Sequence, residues 1–383
     1  MNENLKIAIY AICKNELQFV DQWFNSMFEA DYICVLDTGS TDGTYEKLLE
    51  WKQKFPDKII IGQKTYQQWR FDVARNDSMN LVPKDTDIFW CTDLDETLVK
   101  GWSRQLRKKW EPKATRGIYL FAWSHTDTGQ PGRVFWYDKI HTKDYYWKFP
   151  VHETLIFNKN ETENMVRISN EIMLHHHQDY TKSRSNYLDL LKLRAAENEN
   201  DDYGKIYLMQ EYFGQQKYEE CINYIKTKLM PNLFNETDIL FRPSIYFHLG
   251  ACYYFTQRAD EAITAYKIGI SSFPKYRDNY MALAGLYLDM KAYNEAYEIL
   301  KEMMEKTVHF NSWLERDFSW SYLPYQFLAT CYRAFGLRHV AADYALLAYT
   351  LNPSEKLKQE YEEIKEEAQS LFKLEAINNS KML

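Results

Sequence analysis

Residues 87–97 read Asp-Ile-Phe-Trp-Cys-Thr-Asp-Leu-Asp-Glu-Thr, an apolar run that breaks off at two carboxylates, Asp93 and Asp95, one residue apart. In an extended chain, side chains two positions apart point the same way, so this spacing predicts both acids on one side of a strand end. Like charges so placed repel unless a cation lies between them. A divalent metal with oxygen ligands fills that role, and a nucleoside diphosphate is its usual companion. Alone, an Asp-x-Asp more often marks a solvated turn. Here it ends a run that reads as a buried strand, and open α/β sheets bind ligands at the carboxyl ends of their strands.

Upstream, Leu5–Ile12 forms a β-rich run followed by Cys13-Lys14-Asn15-Glu16 and an amphipathic stretch to about Phe28. Residues 31–37 form a second short strand that ends in Asp37. A loop of small, turn-forming residues, Thr38-Gly39-Ser40-Thr41-Asp42-Gly43-Thr44, then leads into a helix near Tyr45. A third strand over 58–62 and a helix over 71–81 complete a β-α-β-α-β-α-β series, which predicts a parallel sheet with right-handed crossovers. Asp37, Asp93 and Asp95 then open onto the same sheet edge, although Asp, Ser and Gly also serve as ordinary turn and cap residues.

The ordered motifs Cys13–Glu16, Asp37–Thr44, Phe71-Asp72-Val73-Ala74-Arg75-Asn76, Asp93–Glu96 and Val151-His152-Glu153 resemble the family-2 glycosyltransferases. The resemblance covers roughly the first 180 residues. It implies a Rossmann-like GT-A domain of the α/β class, a UDP-sugar donor and a Mg²⁺ or Mn²⁺ ion. By resemblance, Asp37 meets the uracil or ribose, with Glu16 and Thr38 beside the nucleotide. Arg75 lies near the nucleotide or its pyrophosphate, Asp93 contacts ribose or donor sugar, and Asp95 ligates the metal. The division suits the chemistry, because a cation and an arginine stabilise the charge that develops on a departing diphosphate.

The chain has 383 residues, of which 45% are hydrophobic and 16% aromatic, enough for two domains with substantial cores. A net charge of −7 argues against a nucleic-acid groove or an anionic membrane surface. No apolar run approaches the roughly 18 residues of a membrane span, and the N-terminus lacks a signal-peptide pattern, so a soluble, cytoplasmic protein is expected. The six cysteines lack Cys-x-x-Cys spacing and read as small buried hydrophobes.

From about residue 183 the period becomes helical. Leu249-Gly250, Tyr253, Ala262, Tyr266 and Pro274 occupy the spacing of a tetratricopeptide unit. The frame returns at Leu283-Ala284, Tyr287, Ala296 and Leu300, again at Leu328-Ala329, Tyr332 and Ala341, and earlier at Leu208, Tyr212 and Cys221. Small residues at helix crossings with large ones beside them are what a stacked solenoid requires. Unequal steps imply insertions near 230–241 and 307–320, the latter carrying Trp313, Phe318 and Trp320 as a partner surface or as packing between repeats. Leu357, Tyr361, Ile364, Ala368 and Leu371 predict an amphipathic capping helix or a homodimer seam. The expected domains are 1–182 (GT-A), 183–354 (repeats) and 355–383 (cap).

Residues 117–180 form the acceptor half, rich in Trp123, Phe135, Trp136, Tyr137, Tyr145, Tyr146 and Trp147, most of them expected in the core. Inverting transfer needs a general base, with Glu153 the first candidate and Asp127, on a turn-rich loop, the second. His175 and His177 share one face of a short strand, and the resemblance makes either a candidate metal ligand. The expected activity is transfer of a hexose, with glucose the resemblance-based choice, to Cys or Ser of a peptide held by the repeats. The fusion resembles bacterial enzymes that glycosylate bacteriocin-like peptides. It also resembles enzymes that extend lipopolysaccharide or capsule, so a saccharide acceptor is the alternative. An inactive scaffold that binds a protein partner is a third reading.

Overall fold

The computed structural model describes residues 4–125, 129–179, 187–232, 240–310 and 312–381, and the chain divides into two compact units, residues 1–197 and 198–383. In the first unit the apolar runs are strands: β1 (Ile7–Cys13), α1 (Val20–Met27), β2 (Tyr32–Asp37), α2 (Thr44–Lys54), β3 (Ile59–Gln63), α3 (Phe71–Met79) and β4 (Ile88–Cys91). Parallel β2 and β4 flank β1, and β3 lies outside β2. The chain thus works outward from β1 to β3 and returns to β4 on the other side of β1. That reversal is a topological switch point at the carboxyl ends of β1 and β4, the place where open α/β sheets bind ligands. All of β1 is buried, which explains its unbroken apolar run.

The sheet then becomes mixed. It continues through β5 (Glu96–Leu98), α4 (Trp102–Lys109), β6 (Arg116–Ala122), β7 (Val134–His141), β8 (Tyr145–Lys148), β9 (Thr154–Phe157), β10 (Met165–Arg167), β11 (Met173–His176) and α5 (Tyr187–Glu197). β7 runs antiparallel between β4 and β6, β11 joins β6 to β5, and β8–β9 form a separate hairpin. The expected acceptor half therefore supplies much of the sheet itself. Of its seven aromatics only Tyr145 and Trp147 are buried; Trp123 and Tyr146 are exposed, and the three on β7 are half-buried. Helix α5, which its helical period groups with the repeats, packs in the first unit. Leu188 and Leu191 are buried, and Arg194 Nη1 donates to the carbonyls of Val151 (3.0 Å) and His152 (2.6 Å).

The second unit is all-α among the described residues: α6 (Asp202–Gly214), α7 (Tyr218–Tyr224) with a π-helical turn to Leu229, α8 (Phe241–Phe255), α9 (Ala259–Ser272), α10 (Arg277–Asp289), α11 (Tyr293–Lys306), α12 (Leu323–Ala334), α13 (Arg338–Leu351) and α14 (Glu355–Lys381). The repeat positions are interior: Tyr266, Leu283, Leu300 and Leu328 are buried with Ala262, Ala284 and Ala296. In the insertion after α11, Trp320 stacks between His309 (4.5 Å) and the Arg277 guanidinium (3.6 Å), while Trp313 and Phe318 stay exposed. Much of the first expected insertion, 233–239, and the Leu371 side chain lie outside the described residues. Ile364 of α14 packs with Ala329, Ala341 and Ala345, as a capping helix would. All six cysteines are buried, and no helix among the described residues is long and apolar enough to cross a membrane.

Gly250 shows why a small residue recurs at the crossings. A Cβ there would sit 2.4 Å from the Tyr266 ring. Gly250→Ala is expected to lower stability by a net of about 1–2 kcal/mol, because overpacking outweighs the gain in helix propensity of about 1 kcal/mol. Urea unfolding followed by far-UV circular dichroism measures this, and an unchanged midpoint would show that the hairpin can open without loss.

Candidate active site

Two loops rim that switch point. The backbone N–H of Asn15 donates to Ser40 Oγ (2.9 Å), that of Thr41 to Asn15 Oδ1 (2.8 Å), and that of Leu17 to Asp42 Oδ2 (3.2 Å), tying the segment after β1 to the segment after β2. Glu16 joins through its own N–H, which donates to Thr44 Oγ1 at 2.8 Å. Thr38 Oγ1 donates to the Cys13 carbonyl at 2.8 Å. Asp37 is fully buried, and its Oδ1 accepts from the N–H groups of Gly39 (3.0 Å) and Ser40 (3.1 Å). In this structure its carboxylate shapes the loop, and Gly39, at φ +102°, makes the bend that brings both amides to it.

Asp93 and Asp95 do not share a strand face. β4 ends at Cys91, and the Glu96 N–H donates to the Asp93 carbonyl at 3.1 Å, so the acids lie on a turn that sends their carboxylates to different partners. Asp93 meets two buried cations. Arg75 Nη2 donates to its Oδ1 at 2.9 Å, and Lys139 Nζ lies 3.4 Å from its Oδ2. Burial alone would raise the Asp93 carboxyl, but Arg75 and Lys139 override it and hold it well below the usual range. Arg75 also ion-pairs through Nε with Glu153 and donates to Cys91 Sγ at 3.1 Å. One guanidinium on α3 thus joins the proposed donor aspartate to the proposed base. Burial pushes neighbouring Glu96 up to about 7, with Lys139 opposing and Asp93 and Asp95 reinforcing; its Oε2 accepts from the Asp93 N–H at 2.9 Å.

Asp95 turns to the histidines. The expected partners, His175 and His177, make their side-chain contacts elsewhere. His175 Nδ1 is 2.9 Å from His125 Nε2, and His177 Nε2 is 2.8 Å from Thr97 Oγ1. The imidazole that reaches Asp95 is His176, with Nε2 3.3 Å from Oδ2 and Nδ1 3.1 Å from the Trp123 carbonyl. Alternation assigns His176 to the face opposite its two neighbours, and that face is the one turned to the acid. Although burial opposes it, the hydrogen bond to Asp95 raises the His176 pKa above its ordinary value. Asp127, the second candidate base, lies outside the described residues.

Asp95 and His176 offer one oxygen and one nitrogen donor. Among the described residues, no group of three or more His, Cys, Asp or Glu side chains is arranged to hold a metal. An imidazole beside a carboxylate suits a transition-metal ion such as Mn²⁺ better than Mg²⁺, which prefers oxygen ligands, and such an ion would take its remaining ligands from water and a substrate diphosphate. Sequence reasoning missed Lys139, a lone lysine in an aromatic strand with no motif around it, and missed the part Asn76 plays. Asn76 Nδ2 donates to the Trp147 carbonyl and its Oδ1 accepts from the Trp147 N–H, both at 2.8 Å, fastening the β8–β9 hairpin to α3. Asn76→Ala removes both bonds and is expected to destabilise the first unit by about 1–3 kcal/mol. Thermal denaturation with and without UDP would report this; a loss of stability below about 0.5 kcal/mol would mean the hairpin is held by packing alone.

No curated protein matches the chain. Among solved structures, it is similar to a MamA protein at 19% identity, covering 46% of this chain and 86% of that one with a TM-score of 0.34. It is also similar to a thermophilic TPR protein of Thermus thermophilus (16% identity, 47% and 89% coverage, TM-score 0.35) and to pilF of Pseudomonas aeruginosa (14%, 45% and 71%, TM-score 0.37). Residues 9–168 match the model of glycosyl transferase family 2, a span holding every described candidate above except histidines 175–177, and the match supports a glycosyltransferase activity for this domain.

Proposed function

We propose that the first unit moves a hexose from a UDP-sugar to a Cys or Ser side chain of a peptide, and that the helical repeats help to hold the acceptor. The observation that carries this reading is the Arg75 cluster at the carboxyl end of β4, beside the reversal in strand order. There a buried guanidinium bridges Asp93 and Glu153, within the span of the family match. The acceptor sulfur or oxygen attacks the anomeric carbon from the face opposite the nucleotide. The bond from that carbon to the β-phosphate oxygen breaks, and UDP leaves with the electron pair. Glu153 takes the acceptor proton through Oε2, since Oε1 is engaged by Arg75. Asp93 orients hydroxyls of the donor. A Mg²⁺ or Mn²⁺ ion at Asp95 would supply positive charge to the departing diphosphate. The exposed Trp313 and Phe318 of the repeat unit support a peptide acceptor.

UDP-glucose with Mn²⁺ is expected to raise the melting temperature of the full chain, because a ligand that binds only the folded state stabilises it. Glu153→Gln is expected to lower transfer to a Cys- or Ser-containing peptide by roughly 10²–10⁴-fold while leaving UDP affinity nearly unchanged. If UDP binding falls with turnover, Glu153 is a structural or donor contact instead. No thermal shift from any UDP-sugar would remove the donor assignment, and transfer to a saccharide but to no peptide would remove the acceptor assignment.

A further inference from the structure

Lys139 is a buried lysine that the proposed reaction does not use. It lies near the end of β7, one residue before Ile140, which pairs with Trp90 of β4, so the sheet itself fixes its backbone. Only 7% of the residue is exposed. A lysine in such surroundings tends to lose its proton, yet burial is overridden here by Asp93 and, less strongly, by Tyr137, and Lys139 is held above its ordinary pKa. Nζ lies 5.1 Å from the Tyr137 ring centroid and 3.4 Å from Asp93 Oδ2.

The two aspartates of the turn are therefore unlike. Asp93 has a cation on each oxygen, Arg75 on Oδ1 and Lys139 on Oδ2, and its backbone N–H is fixed by Glu96. Asp95 has no Lys or Arg on its carboxylate among the described residues; its side-chain partner is His176. A divalent cation approaching Asp93 would meet two fixed positive charges, whereas Asp95 faces a single imidazole that can lose its proton and turn a ring nitrogen to the metal. Hydroxyl groups carry no net charge and can still donate to the remaining lone pairs of Asp93.

We infer that Lys139 is a positioning residue: paired with Arg75, it reserves Asp93 for hydroxyls of the donor and leaves the cation to Asp95. This rests on the cation-assisted donor site proposed above. It makes a counterintuitive demand, because removing Lys139 frees the charge of Asp93 and should improve metal binding while harming recognition of the sugar nucleotide.

The test reads Mn²⁺ alone, without donor or acceptor, by the electron paramagnetic resonance signal of the free ion titrated with full-length protein. Lys139→Met is expected to bind Mn²⁺ about tenfold more tightly than the parent, the scale of one compensating charge removed near the bound ion. Lys139→Arg should stay near the parent value. Asp93→Asn should change Mn²⁺ affinity by less than about threefold, whereas Asp95→Asn should lose about tenfold or more. The inference is overturned if folded Lys139→Met binds Mn²⁺ no more tightly than the parent, or if Asp93→Asn costs as much affinity as Asp95→Asn. It is also overturned if the parent binds no Mn²⁺ at millimolar concentration. Should Lys139→Met fail to fold by circular dichroism, the comparison of the two aspartate variants decides. A thermal shift of the parent with UDP-glucose reads the donor assignment separately, so either can fail without the other.

Discussion

Arg75 brings a permanent charge into space that water barely reaches, and three groups meet it there: Asp93, Glu153 and the sulfur of Cys91. Burying a guanidinium is unfavourable by several kcal/mol unless its donors are satisfied, so the pairing determines where both carboxylates stand. Glu153 comes from a distant part of the chain, after a residue at φ +48°, and Asp93 from the turn after β4. Helix α3 supplies the bridge between them. The same helix also holds the β8–β9 hairpin through Asn76, and its Asp72 pairs with Arg70 just before it, so the Arg70–Asn76 segment acts as the frame of the site.

Charge is divided unevenly around this frame. Arg75 and Lys139 both face Asp93, while Asp95 faces an imidazole. Glu96 follows the two aspartates in sequence, and its pKa is raised chiefly by burial, with Lys139 opposing and Asp93 and Asp95 adding to the shift. A site that must bind a diphosphate and then release it benefits from such separation. One part orients neutral hydroxyls, and another draws a cation and its phosphates.

Much of this was legible in the sequence because strand-helix alternation and acid-tipped strands leave periodic marks. The elements through Cys91 fall within one or two residues of their expected bounds. The repeat frame was equally legible, since Gly250 against Tyr266 is a packing requirement that recurs along the chain. What escaped was set by tertiary contact. Strand alternation predicted Asp93 and Asp95 on one face, but the strand stops at Cys91 and a turn overrides the period. A three-histidine run does not reveal in sequence which face meets Asp95, and the structure turns His176 to it. Asp37, which the resemblance sets at the uracil or ribose, also organises its own loop through the amides of Gly39 and Ser40. Helix α5 carries a helical period like the repeats, and tertiary contacts assign it to the first unit: Arg194 reaches the carbonyls at 151 and 152, and Glu197 pairs with Arg70.

The central claim is that Arg75 holds the site together, and unfolding of Arg75→Met tests it most directly. Removing one partner of a buried ion pair leaves carboxylates uncompensated, so a loss of about 3–5 kcal/mol is expected in the unfolding free energy of the first unit. Part of that loss should return in the double variant Arg75→Met, Glu153→Gln, in which Asp93 keeps Lys139 as its counter-charge and Glu153 no longer brings an unpaired one. An Arg75→Met variant within about 1 kcal/mol of the parent would contradict the account, because the two carboxylates would then be held by something other than the guanidinium.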